Sequence, residues 1–206
     1  MQAESDINKG ELFLHRLRQA TGPQHKKLES HPLSRSLMTD VSWNEYGMYL
    51  FAMKEIVKEY DNKVLPFLKD VLPGYESRKK ADAIENDIAF IAGKTTTLHD
   101  AEDFALPLLT SKAFAFGFAY VLEGATLGGR VIIKHVQSHL PVNEEEGASF
   151  FAGYGSQTGW YWKELLEALV AFTIQNNCET EVIAGAQSCF SSIYTHFDKC
   201  RIPDEV

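Results

Sequence analysis

Apolar residues recur along the chain at three- and four-residue intervals, the mark of amphipathic helices. No segment shows the period-two alternation of a half-buried strand. Residues 1–9 read as a loose polar tail. Residues 11–31 form a first helix, with Leu12, Leu14, Leu17, Ala20 and Leu28 on its apolar side. Pro23 falls inside it, has no N–H for the Gln19 carbonyl, and predicts a kink or a fresh start at Thr21. The capping box Ser42-Trp43-Asn44-Glu45 opens a long helix from Trp43 to about Leu68. A turn at Pro73-Gly74 leads to a helix over 76–92, stopped by Gly93. The connection 94–109 reads mostly as loop. Ser111 caps a helix to about His139 that is apolar nearly all round, which marks a buried central element. After an acidic loop at 141–147, helices follow at roughly 159–176 and 179–200. The predicted class is all-α, one domain over residues 1–206 with about seven to eight helices.

Composition narrows the function. Of 206 residues, 45% are hydrophobic and 23% charged, enough to build a sizeable core. The net charge of −8 argues against nucleic acid as a main partner. Met1 to Gly10 lacks the apolar run of a signal peptide. The longest apolar run, Ala113 to Leu122, is shorter than the roughly 20 residues a membrane span needs. Cys178, Cys189 and Cys200 are an odd number, spaced for one helix face, and read as small buried residues in a reducing cytoplasm.

Two stretches carry chemistry. In Leu17-Arg18-Gln19-Ala20-Thr21-Gly22-Pro23-Gln24-His25-Lys26-Lys27-Leu28-Glu29, His25 and Glu29 lie one helical turn apart on one face. A carboxylate there can accept the free ring N–H of a metal-bound imidazole and fix its tautomer. In Tyr120-Val121-Leu122-Glu123-Gly124-Ala125-Thr126-Leu127-Gly128-Gly129-Arg130, glycines crowd a helix. With Gly117 they number four, at a cost of roughly 2–4 kcal/mol relative to alanine. Two reasons offer themselves: a flat ligand close to bare backbone, or close packing by another helix. Glu123 is assigned to a helix–helix ion pair.

Together the two stretches resemble the heme oxygenase family, most closely its bacterial branch that serves bacteriophytochromes. The first is similar to the family's proximal-ligand helix (L-[KR]-x-A-T-x-x-x-H-x-x-x-E), the second to its glycine-kinked distal helix (G-x-x-x-G-G). They stand about one hundred residues apart, and the likeness runs from about Leu12 to Trp162. The resemblance implies a multihelical heme oxygenase-like fold and reductive, O₂-dependent opening of heme to biliverdin, CO and ferrous iron. His25 would be the axial iron ligand with Glu29 behind it, and Gly124, Gly128 and Gly129 would form the distal wall. Arg18, Tyr120 and Lys163 match the contacts to the heme propionates, which need cations or hydroxyl donors. An external reductant, a ferredoxin or flavoprotein, is implied as electron donor, and a bacteriophytochrome as recipient of biliverdin. The chain departs from the animal enzymes at Ala125, where they carry an aspartate that orders a water chain. Proton delivery then falls to ordered water or Thr126.

Rival readings lack their residues. A di-iron oxygenase needs Glu-x-x-His pairs, and no glutamate here has histidine three residues on. A thiaminase-like hydrolase needs a reactive cysteine in a central pocket, whereas all three cysteines fall in the last thirty residues. His135 and His139 make a bare H-x-x-x-H without a third ligand. The strongest alternative is a heme-binding or heme-sensing module without turnover. Phe150, Phe151, Tyr154 and Trp160-Tyr161-Trp162 are assigned mainly to the core, with one or two at the porphyrin edge.

Overall fold

The computed structural model describes residues 2–96 and 103–200, with backbone alone for 2–7. Its order is α1 (Gln2–Glu29), α2 (Pro32–Ser36), α3 (Trp43–Glu59), a π segment (Tyr60–Val64), α4 (Leu65–Phe67), a 3-10 turn (Tyr75–Arg78), α5 (Ala81–Ile91), α6 (Lys112–Gln137), α7 (Ser149–Ala152), a second 3-10 turn (Gly155–Gln157), α8 (Thr158–Asn176) and α9 (Glu179–Cys200). With α3 through α4 taken as one run, the described residues hold eight helices, within the number expected. Among them no strand ladder forms, only isolated bridges at Ala92–Thr95 and Asn143–Gly147. Residues 97–102 of the connection expected to be loop lie outside the described residues.

Several local signals act as the sequence indicates. Ser42 and Glu45 close a reciprocal capping box at the start of α3. Ser111 Oγ accepts the Phe114 N–H at 3.2 Å to begin α6. Gly93, at φ 88°, follows the end of α5 in the left-handed region that glycine tolerates. Other elements differ. Helix α1 already starts at Gln2, so residues 2–9 of the stretch read as a tail are helical. Its Gly10 sits against α8, where a Cβ would stand 2.7 Å from Val170 Cγ1. Pro23 neither breaks α1 nor restarts it at Thr21. The neighbouring carbonyl of Ala20 is taken up from outside, by the Gln187 side-chain amide of α9 at 2.8 Å.

The helix expected over 76–92 is split at Lys79-Lys80. The cause is distant in sequence: Asp61 Oδ2 accepts the N–H groups of both Lys80 and Ala81 at 2.7 Å, capping α5 at that point. Asp61 is brought there by the π segment just before Pro66, whose ring crowds the carbonyl four residues back and whose missing N–H interrupts the ladder. Helix α2 has an unusual cap, the ring of His31, whose Nδ1 accepts the Leu33 N–H at 3.2 Å while Nε2 meets Asp198 Oδ1 at 3.1 Å. Pro32 occupies the first helical position, where its missing N–H costs nothing.

Helix α6 is the central element, packed against α7, α8 and α9. Its buried face includes Ala115, Phe116, Phe118, Ala119 and Leu122. It is long and apolar enough to cross a membrane on those measures alone, but more than half of its most apolar stretch is buried inside the protein, as in a core helix. Its crossing with α9 is set by two glycines. A Cβ on Gly117 would stand 2.3 Å from Ala186 N and Val182 O, and one on Gly185 would stand 2.1 Å from Phe114 O. No side chain fits between these backbones. Cys178 and Cys189 are buried in the same region.

Gly117→Ala is therefore expected to lower the stability of the ligand-free protein by about 1–3 kcal/mol through overpacking. Gly128→Ala, where a Cβ meets nothing within 4 Å, is expected to raise it by up to about 1 kcal/mol through helix propensity. Thermal unfolding of the two variants tests the opposite signs.

Candidate functional site

Helices α1 and α6 face each other across a cleft of about 480 Å³. That is a usual size for a small-molecule site, roughly 300–1,000 Å³. Helix α1 lends Arg18, Thr21, Gly22, His25 and Glu29; α6 lends every residue from Tyr120 to Gly129 except Glu123. The remaining walls are mostly apolar, with Leu37, Tyr49, Met53, Phe151 and Phe197 among them. The two motif stretches, distant in sequence, thus form the two faces of one space.

On the α1 face, His25 Nδ1 lies 3.6 Å from Glu29 Oε2. That is ion-pair reach, longer than a hydrogen bond. The ring's other nitrogen, Nε2, diverges from that direction, and the ring meets Phe190 edge-on at 5.5 Å. Both side chains are more than half exposed, so the imidazole is accessible. Further along, Arg18 and Thr21 stand beside the hydroxyl of Tyr120 on the opposite face. Burial raises the Tyr120 pKa, and these two neighbours pull it back. Two of the residues singled out in the sequence, Arg18 and Tyr120, are thereby brought together. Tyr120 also packs on Trp162 at 5.5 Å between ring centroids.

The glycines divide by what lies beyond them. Around Gly22 and Gly128, one on each face of the cleft, a Cβ would have nothing within 4 Å. At Gly124 it would touch only the Trp162 ring, at 3.6 Å. Gly129 is different: its Cβ would stand 2.8 Å from Phe151 O, so its bareness serves the contact with α7. Helix α6 runs unbroken through all three. Lys163 is not brought to the cleft. It is exposed on α8 and lies 3.7 Å from Glu167, because its neighbour Trp162 takes the inward position and a helix turns about 100° per residue. Thr126 Oγ1 donates to Leu122 O at 3.2 Å. Of the aromatic group, Phe150, Phe151 and Trp162 line the cleft, while Trp160 is exposed.

Helix α7 is held by Asp87 of α5. Oδ1 accepts from the backbone N–H and the hydroxyl of Ser149, and Oδ2 from Phe150 N–H, all at 2.8 Å. Burial raises the Asp87 pKa against these three bonds.

On the face of α6 that carries Glu123, reaching the cleft lining only through Lys80, lies a buried ionic cluster. Glu123 is only 2% exposed and Arg78 fully buried. Arg78 Nη1 donates to Glu123 Oε2 at 3.1 Å, and Lys80 Nζ to Oε1 at 2.6 Å. Tyr60 and Tyr154 donate to the same carboxylate at 3.0 and 2.9 Å. Glu123 thus makes the ion pair expected of it. Its partners were not legible: Arg78-Lys79-Lys80 has the look of a surface charge run, and only the break between helices there hints at burial.

The heme oxygenase family model matches residues 11–199, nearly the whole chain. The chain belongs to the heme oxygenase family. A heme oxygenase from Xanthomonas campestris pv. campestris is 27% identical over 124 residues, 59% of this chain and 69% of that protein. The structure of the NO- and CO-bound heme oxygenase from Neisseria meningitidis superimposes with a TM-score of 0.75 at 26% identity, covering 91% of each chain. The heme oxygenase of Leptospira interrogans shares the fold, with a TM-score of 0.71 at 18% identity over 90% of this chain and 98% of that one. As a heme oxygenase the protein is a heme-degrading enzyme. Its cleft has room for a flat macrocycle: Gly22 and Gly128 open onto space from facing helices, and the His25 imidazole and the Arg18 guanidinium line it.

Asp87→Ala would leave the backbone N–H groups of Ser149 and Phe150 without their acceptor, while the Ser149 hydroxyl keeps Ala83 O at 3.0 Å. The expected result is a loss of about 2–3 kcal/mol and fast hydrogen exchange at the Ser149 and Phe150 amides, read by denaturant unfolding and mass-resolved exchange.

Proposed function

We propose that the protein opens heme reductively with O₂ to biliverdin, CO and ferrous iron, with His25 as the axial ligand of the iron. The observation that carries this reading is that His25 and the bare backbone at Gly124 and Gly128 line opposite faces of one cleft. Heme, when bound, would supply the iron at which O₂ is activated, and His25 would hold that iron from the α1 side. Glu29 orients the imidazole from the Nδ1 side. Arg18 and Tyr120 hold the propionates at the α1–α6 edge, where charge-assisted bonds are strong. On the other face, α6 presents main chain, so nothing with an acidic side chain stands over the iron: position 125 is alanine, and the Thr126 hydroxyl is committed to Leu122 O. Protons then arrive through ordered water held by backbone groups. The apolar walls limit how much other water shares the site.

Electrons come from an external ferredoxin or flavoprotein in the cytoplasm. Ala125 in place of the aspartate is compatible with the branch whose biliverdin passes to a bacteriophytochrome, the recipient we propose.

With hemin, the wild-type protein is expected to give a Soret band that His25→Ala abolishes or shifts; an unchanged spectrum in that variant removes His25 as ligand. Arg18→Ala is expected to weaken hemin binding by about tenfold, one charge-assisted contact's worth. Gly128→Leu, with the fold kept, is expected to cut the biliverdin formed with ascorbate or ferredoxin by about a hundredfold. A normal yield from it contradicts the close approach of substrate to α6.

A further inference from the structure

We propose that Glu123 is a positioning residue for heme opening: anchored from behind, its carboxylate sets where the bare stretch Gly124–Gly129 stands over the cleft. The inference rests on the reading that the iron sits between His25 and this stretch.

The need for such an anchor follows from the glycines. A helix is normally fixed by the side chains it presents to its neighbours. On the cleft side of this stretch Gly128 touches nothing, and Gly124 has only the Trp162 ring within reach of a Cβ. The backbone there must be held from the other side. Glu123 immediately precedes Gly124 and is the one residue of the 120–129 run that does not line the cleft.

The hold is broad. The Glu123 carboxylate accepts from Tyr60 on the π segment, Arg78 on the first 3-10 turn, Lys80 at the start of α5, and Tyr154 just before the second 3-10 turn. Arg78 extends it to α8, donating to Glu164 Oε2 at 2.8 Å and to Tyr161 O at 3.2 Å. Trp162, the next residue, lines the cleft, so one cluster ties together the α6 and α8 walls. A buried carboxylate is costly to desolvate, and apolar residues of similar volume often stabilise such sites as well or better. What the ionic cluster adds is direction: each bond fixes a distance and an angle. Burial and the adjoining Glu123 charge keep Tyr60 and Tyr154 protonated, so both remain donors.

The same bonds argue against a proton-donating role for Lys80, which does reach the cleft lining. Its three N–H groups are committed to Arg78 O, Glu123 Oε1 and Tyr154 Oη, at 2.8, 2.6 and 2.5 Å. None is left to give. The cluster is a fixture.

The test compares wild type, Glu123→Gln and the double variant Lys80→Met/Glu123→Gln, which keeps the Arg78–Glu164 pair and removes one cation along with the carboxylate. Two readouts are used: the azide affinity of the ferric hemin complex, followed by its spectrum, and hydrogen exchange of the Gly124–Gly129 amides without hemin. In either variant azide affinity is expected to change by about tenfold, as when a supporting contact is lost. The amides are expected to exchange about tenfold faster, with the Soret band of the hemin complex kept. A variant that only unfolds at lower temperature, with azide affinity and amide exchange as in wild type, overturns the proposal. Should Glu123→Gln fail to fold, the double variant decides by the same criteria. A hemin spectrum that ignores azide in the wild type and is unchanged in His25→Ala would instead sink the reading of the cleft, and this inference with it.

Discussion

At the crossing of α6 on α9, backbone meets backbone at Gly117 and Gly185, with no room for a Cβ on either. That contact fixes the depth at which the central helix lies, and the rest of the molecule is arranged around the result. The first part of α6 is spent on α9, and Glu123 on the carboxylate cluster. The rest of the run from Tyr120 to Gly129 lines the cleft, to which α9 also contributes Phe190, Ile193 and Phe197. Because α1 also packs on α9, both faces of the cleft take their position from the same helix. Their separation then depends on packing that no ligand has to supply.

Two kinds of interaction share the work of holding a helix with so few side chains. Steric contact acts where the glycines meet backbone, at Gly117 and Gly129. Directional polar bonds act where they do not, through Arg78, Lys80, Tyr60 and Tyr154 on Glu123. The π segment links these to local chain chemistry. Pro66 disturbs the ladder of α3, and the widened turn before it delivers Tyr60 to Glu123 and Asp61 to the amides of Lys80 and Ala81. That capping in turn ends the first 3-10 turn where Arg78 points inward. A proline in one helix thus decides which lysine amide begins another.

Much of this was legible in the sequence where the signal is local. Helical periodicity, the Ser42–Glu45 box, the Ser111 cap and the Gly93 stop depend on neighbours within four residues, and the structure follows them. The two chemistry-bearing stretches could be read because each carries its spacing within one helix. What could not be read depends on partners far away in sequence. The break before α5 is made by Asp61, and the α2 cap by a histidine, a residue type that rarely does this. Lys163 and Gly129 show the same limit at the site. A helix face one residue off turns a lysine to solvent, and a glycine beside a ligand stretch can owe its place to another helix. Arg78 and Lys80 were hidden for the opposite reason, since a run of cations reads as solvated until a buried carboxylate is seen beneath it.

The division among the glycines also bears on how such a chain would age under mutation. Gly117 is held by the protein's own architecture, and a Cβ there costs stability through the contact with α9. Gly128 is held by nothing inside the molecule. A descendant relieved of its chemistry would be free to let that position drift toward better helix formers. What a glycine at 128 preserves is empty room on the cleft wall, which the fold itself does not require.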